Sequence, residues 1–163
     1  MKNVLAVFAT LVVSGCAMAP PPPSGDALIT LEKGGCGFIS ECPAYTISMK
    51  PDGSYRYEGV RHVPVIGVRE GQLPAGSWEK AEAAFMAAGW KKIEDPTTRE
   101  NGYPCMPDSP YAQITRRVRA GEEKVFNYNL ACDSKSGSLL LGALSEILQT
   151  PMIGPHRVVQ FDG

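Results

Sequence analysis

At 163 residues, 44% hydrophobic and 20% charged, the chain has the length and make-up of one ordinary globular domain, neither disordered nor fibrous. Its formal net charge of −1, from 16 basic and 17 acidic residues, excludes the electrostatic footprint of a nucleic-acid binder. The single basic cluster, Arg116-Arg117-Val118-Arg119, is followed by Glu122-Glu123 and reads as a solvated hairpin tip.

The first residues read as an address. Lys2 and the amino terminus precede an uncharged, mostly apolar run from Val4 to Val13. As a helix that run is about 15 Å long, half the hydrocarbon thickness, so it suits a signal peptide over residues 1–15 and not a membrane span. Val13-Ser14-Gly15-Cys16 closely resembles the bacterial lipobox. In that signal the cysteine thiol receives a diacylglyceryl group, the chain is cut before it, and the new amine is acylated. An ordinary cut after Ala17-Met18-Ala19 would leave Pro20 past the scissile bond, where its ring is poorly accommodated. Lipidation of Cys16 is therefore the expectation, and each buried CH₂ of the acyl chains adds about 0.8 kcal/mol of membrane affinity. Ala17 stands where an inner-membrane retention signal usually shows Asp, so in a two-membrane bacterium the periplasmic face of the outer membrane is the expected location. Pro20-Pro21-Pro22-Pro23 then favours a polyproline II rod, so residues 16–26 read as a lipidated cysteine and stiff spacer.

A single domain is expected over residues 27–163. Ile29 and Leu31 alternate with polar neighbours on a first strand, and Tyr45, Ile47 and Met49 do so on a second. Pro51-Asp52-Gly53 is a strong turn signal, proline setting the first corner and glycine supplying a positive φ. Residues 54–58 return as a third strand, Val63-Pro64-Val65-Ile66-Gly67 interrupts, and residues 68–73 form a short fourth. Ser77 can cap a helix whose Trp78, Ala81, Phe85 and Ala88 recur at helical spacing, with Gly89 at the left-handed stop and Trp90 beyond it. Residues 111–120 and 124–130 read as a second hairpin around Gly121-Glu122. Ser138 begins a last helix with the apolar stripe Leu140, Leu144, Ile147 and Leu148, ended by Pro151. The order implies an α+β fold, an antiparallel β-sheet built from hairpins with two helices packed on one face.

With Cys16 lipidated, Cys36, Cys42, Cys105 and Cys132 remain, and three pairings are open to them. An oxidising compartment favours two disulfides. Cys36–Cys42 and Cys105–Cys132 are preferred because the first closes the loop between adjacent strands and the second ties a long loop to a strand end. On chain-entropy grounds the two contribute about 2.4 and about 3.6 kcal/mol. A zinc site would bring Cys-x-x-Cys spacing, which is absent, so no metal is expected. A nucleophilic Cys36 would need a histidine, and neither His62 nor His156 stands in a recognisable context.

Cys42-Pro43-Ala44-Tyr45, Lys50-Pro51-Asp52-Gly53 and Tyr57-Glu58-Gly59 resemble the opening of a bacterial family known as domain of unknown function 6438. Asp108-Ser109-Pro110-Tyr111 resembles that family's Asp-x-Pro entry to the later strands, and Asn127-Tyr128-Asn129-Leu130-Ala131-Cys132 is similar to its Tyr-x-x-x-Cys strand end. The resemblance spans about residues 27 to 150, with a longer gap between Cys36 and Cys42 than is usual. It implies an exported, disulfide-bearing α+β domain and no assigned activity.

The leading functional expectation is a non-catalytic envelope module, tethered to the membrane by its lipid, that binds a protein, peptide or glycan. Tyr55, Tyr57, Tyr103 and Tyr111 are candidates for contact surface if exposed, or for cross-strand packing if not. The alternatives are an envelope-acting hydrolase and a periplasmic hydrolase inhibitor. Against a hydrolase, Glu70, Glu94, Asp95, Asp108 and Asp133 show no spacing that pairs two carboxylates in one cleft. Gly-x-Ser-x-Gly, His-Glu-x-x-His, P-loop and dinucleotide patterns are also absent, so no cofactor is expected.

Overall fold

A computed structural model describes residues 25–35, 41–99, 102–106 and 108–148. The signal segment, Cys16, the proline run, Cys36, Pro151 and His156 lie outside the described residues. Within them the element order is β1 (Leu28–Gly34), β2 (Ala44–Met49), β3 (Ser54–Arg61), β4 (Gly67–Gln72), α1 (Ser77–Ala87), β5 (Tyr111–Arg119), β6 (Glu122–Asn129) and α2 (Lys135–Leu148). The fold is α+β. The six strands form one antiparallel sheet in the order β4-β3-β2-β1-β5-β6. Strands β1 to β4 are a meander; the chain then crosses by α1 and returns with β5 alongside β1.

Period-two alternation decides which face is buried. Registers place Tyr57, Ile47, Leu31, Ile114 and Phe126 in one row across the sheet, and all five are fully buried. Both helices cover this face. Trp78, Ala81 and Phe85 of α1 are buried there, as are Leu140, Leu144 and Leu148 of α2. Burial of each large apolar side chain contributes about 1.5–3 kcal/mol, so this stripe-on-sheet contact is the main source of stability. The opposite face carries Thr30, Thr46, Ser48, Arg56, Glu58, Gln113 and Asn127, and no helix packs on it among the described residues.

Local chemistry fixes the corners. In the β2–β3 turn the Gly53 N–H donates to the Lys50 carbonyl (2.9 Å), Gly53 takes φ 81°, and the Ser54 N–H donates to Asp52 Oδ1 (2.9 Å). Helix α1 stops as its sequence foretells. Gly89 takes φ 69°, its N–H donates to the Met86 carbonyl, and the Trp90 N–H donates to the Phe85 carbonyl, both at 3.0 Å. The Trp90 ring then meets the Phe85 ring edge-on at 4.7 Å, the apolar contact that accompanies this cap.

Three expectations are corrected. Ser77 does not cap α1; Gly76 stands at the N-cap with φ 82°, and the Ser77 hydroxyl donates to the Pro74 carbonyl at 2.7 Å instead. Helix α2 starts at Lys135, not Ser138, because Ser134 Oγ accepts from the Gly137 N–H at 3.0 Å. Gly137 weakens helical propensity, but a Cβ there would lie 3.1–3.2 Å from the Tyr128 and Phe126 rings, so packing overrides propensity. The basic cluster is a solvated tip only in part, with Arg117 and Arg119 on the exposed hairpin end and Arg116 drawn away from it. Arg116 turns to the helix side, where its guanidinium grips Glu82 of α1 through two bonds of 2.9 and 2.5 Å and sits 5.6 Å from the Phe85 ring centre. Arg117 pairs with Glu123 and Arg119 with Glu122 across the hairpin.

Candidate functional site

The cysteines come first, because they position one flank of the sheet. Cys105 and Cys132 are joined by a disulfide with Cα atoms 5.3 Å apart. It ties the 103–106 loop to the end of β6, as the sequence suggests. Cys42, buried just before β2, is also disulfide-bonded; Cys36 lies outside the described residues.

The bridge belongs to a larger closure along β6. Asp95 accepts from the backbone N–H of Asn127 at 2.7 Å and from its side-chain amide at 2.9 Å. Asn129 donates its side-chain amide to the Met106 carbonyl at 2.7 Å. From the helix side, Lys124 Nζ donates to the carbonyls of Trp90 (2.8 Å) and Ile93 (2.7 Å), with the ammonium 5.4 Å from the Trp90 ring centre. The segment after α1 thus lies along β6, held by its side chains, and Asp95 caps the backbone N–H of Asn127.

The β4 side is different. Among the described residues no element pairs with the outer edge of β4. Glu70, Gly71 and Gln72 are exposed, and Gly67, Val68 and Arg69 partly so. The corner leading into it is apolar. Val60 and Ile66 are 61% and 60% exposed, while Val63 and Val65 fold inward against the core. Two features set that loop. His62 takes φ 51°, a left-handed conformation that reverses the chain, and the Tyr57 hydroxyl donates to the Val65 carbonyl at 3.1 Å. Gly59 is required beneath it, since a Cβ there would lie 2.0 Å from the Val65 carbonyl oxygen.

A trough of about 460 Å³ runs on the open face towards this edge, lined by Leu28, Ser48, Lys50, Ser54, Arg56 and Glu70. Arg56 lies opposite Glu70 in register and 3.3 Å from Glu58, so cations and carboxylates alternate. The hydroxyls and charges present donors and acceptors to a polar partner. A second groove, about 520 Å³, lies at the C-terminal end of α1 between Phe85, Met86, Trp90, Lys91 and Lys92, with the Glu82–Arg116 pair as its wall.

Several groups titrate away from their ordinary values. Burial, with Tyr57 adding to it, pushes the Tyr45 phenol up to about 12. Burial also pulls the Lys33 ammonium down; Lys33 stands on the helix side of β1 opposite Tyr45. The Tyr111 hydroxyl, donating to Glu32 at 2.8 Å, is raised by that bond first and by desolvation second. Asp52, fully exposed, is lowered by its bonds to Ser54.

The other residues singled out from sequence scatter. Tyr55 and Tyr57 are not contact surface; they are buried on the helix side, with the Arg69 guanidinium beside their hydroxyls. Tyr103 is exposed on the disulfide-tied loop, and Tyr111 is held by Glu32. Glu94, Asp108 and Asp133 are exposed and stand apart from the trough; of the carboxylates weighed, Glu70 alone lines it. Val60, Lys91 and Lys92 were not singled out in the sequence, and Ile66 only as part of the interrupting run. A signal did exist, since Val63-Pro64-Val65-Ile66 is unusually apolar for a loop between exposed strands.

Fold and site together define a sheet-and-two-helix α+β domain in which, among the described residues, one face and one edge are covered and the other face and edge are not. The family model for "Domain of unknown function (DUF6438)" matches residues 27–148, and the chain belongs to that family. Among curated proteins none matches it. No helix among the described residues is long and apolar enough to cross a membrane.

Proposed function

We propose that the protein is a membrane-anchored cell-envelope lipoprotein whose domain is a non-catalytic binding module. Signal cleavage before Cys16, acylation of that residue and residence at the periplasmic face of the outer membrane rest on Val13-Ser14-Gly15-Cys16 and Ala17. The proline run lifts the domain clear of the headgroups. The observation that carries the binding role is the unequal covering of the sheet. A charged trough towards one end of β4, an apolar corner towards the other and an edge unpaired among the described residues lie on the β4 side. An exposed apolar patch beside unpaired backbone suits contact with another molecule.

Two measurements test this. Intact-mass analysis of the native membrane fraction should find a mature chain beginning at acylated Cys16; an unmodified chain beginning at Pro20 would overturn the anchor. A photo-crosslinking residue at position 70, compared with one at position 79 on the far side of α1, should give a discrete adduct in the native envelope from position 70. Equal diffuse labelling from both positions would overturn the binding role.

A further inference from the structure

Resting on the binding role just proposed, we infer that β4 accepts an extended peptide of another protein as a seventh, antiparallel strand. That peptide carries a basic residue, an acidic residue and an apolar residue in succession. The edge itself selects an extended backbone, because only a strand can satisfy a row of strand N–H and C=O groups at regular spacing. The opposite edge cannot do this, since Asp95 already holds the Asn127 N–H and the disulfide-tied loop lies over the strand's end.

The side chains then choose the occupant. Register places Val68 and Glu70 on the open face and Arg69 on the helix face opposite Tyr57, and the exposed Ile66 stands just before the strand. A second copy of this chain is a poor fit. A two-fold axis normal to the sheet can bring together only side chains of the same face. The two self-registers that overlap most therefore set Arg69 against the second copy's Arg69, or Glu70 against its Glu70. Like charges directly opposite one another are destabilising. A foreign strand escapes this constraint. Running antiparallel, it meets Glu70 first, then Arg69, then Val68 and Ile66, so the complementary order is basic, acidic, apolar.

The test uses the full chain in detergent and two acetylated, amidated probe peptides, Thr-Thr-Lys-Glu-Val-Thr-Val and its swapped form Thr-Thr-Glu-Lys-Val-Thr-Val. At millimolar peptide the first should slow amide exchange in β4 and leave β6 unchanged. It should bind about fivefold more tightly than the swapped form, since two cross-strand charge pairs change sign. Glu70→Lys, an exposed change that leaves the core untouched, should collapse that preference toward one, because each peptide then makes one matched and one mismatched pair. Protection of β4 by neither peptide would overturn the proposal, as would equal binding of both to the unaltered chain. Sedimentation showing a dimer that Glu70→Lys disperses would assign the edge to a second copy and overturn the choice of occupant. If β4 stays unprotected while position 70 still crosslinks a discrete partner, the binding role stands and the edge-pairing inference alone fails.

Discussion

The two edges of the sheet solve the same problem in opposite ways. An edge strand exposes unpaired backbone that invites another strand, and folded proteins either cover it or make it uninviting. The β6 edge is covered: Asp95 takes the Asn127 N–H, Asn129 reaches the Met106 carbonyl, and Cys105–Cys132 locks the loop down. Among the described residues nothing pairs with the β4 edge, which carries Arg69 and Glu70 with glycines at positions 67 and 71. Charge and glycine deter unspecific pairing without closing the edge to a matched strand. Covering demands many tertiary contacts and is insensitive to what approaches; a charged bare edge is selective.

The contrast can be broken most forcefully through Trp90, which joins the covered edge to the core. Its ring meets Phe85 at 4.7 Å and Phe126 at 6.3 Å, and its carbonyl accepts from Lys124. Trp90→Ala should lower unfolding free energy by about 3–5 kcal/mol in denaturant titration. A loss below about 1 kcal/mol would mean that the segment after α1 is not part of the cooperative core. Next, replacing Cys105 and Cys132 together by Ala should lower stability by about 2–5 kcal/mol. Amide exchange should accelerate at the 103–106 loop and the end of β6 while β4 is unaffected; uniform acceleration would deny the bridge its local role.

Asp95→Ala sharpens the comparison further. It strips one charge-assisted cap from an exposed edge donor, so the expected loss is about 1 kcal/mol, with faster exchange of the Asn127 N–H as the specific readout. The smallest effect belongs to the bare side. Asp52 holds the turn next to β4, where the Gln72 side chain also reaches its carbonyl, and its bonds to Ser54 lower its pKa. The sign follows: a carboxylate lowered on folding contributes stability that is present above its unfolded pKa and lost as pH falls through its folded one. Protection of the Ser54 N–H, taken relative to the intrinsic exchange rate at each pH, should therefore fall as pH drops through and below the ordinary carboxylate range. Asp52→Asn should flatten that dependence, and an unchanged profile would assign it to another group.

Much of this was legible in the chain itself. Alternation at Ile29/Leu31 and Tyr45/Ile47/Met49, the Pro51-Asp52-Gly53 turn, and the Gly89–Trp90 helix stop rest on contacts a few residues apart. Local backbone preference and side-chain period suffice for those, and the α+β class follows from their order. The Cys105–Cys132 pairing was legible because few partners existed. Strand order was not. That β5 lies against β1, leaving β4 and β6 as edges, depends on a crossover through α1 whose direction no local signal encodes. Arg116 shows the same limit. Beside Arg117 and Arg119 it reads as a solvated charge, and only Glu82 of α1, 34 residues away, draws it onto the helix side. Propensity misplaced the start of α2 because a Cβ at position 137 would press to 3.1–3.2 Å against the Tyr128 and Phe126 rings, so groups outside the helix favour glycine there. Sequence by itself thus determined the elements, their inward faces and their turns, since each is settled by interactions within a few residues. Which face and which edge stay open was decided only in three dimensions, because covering an edge takes groups that the chain brings together from far apart.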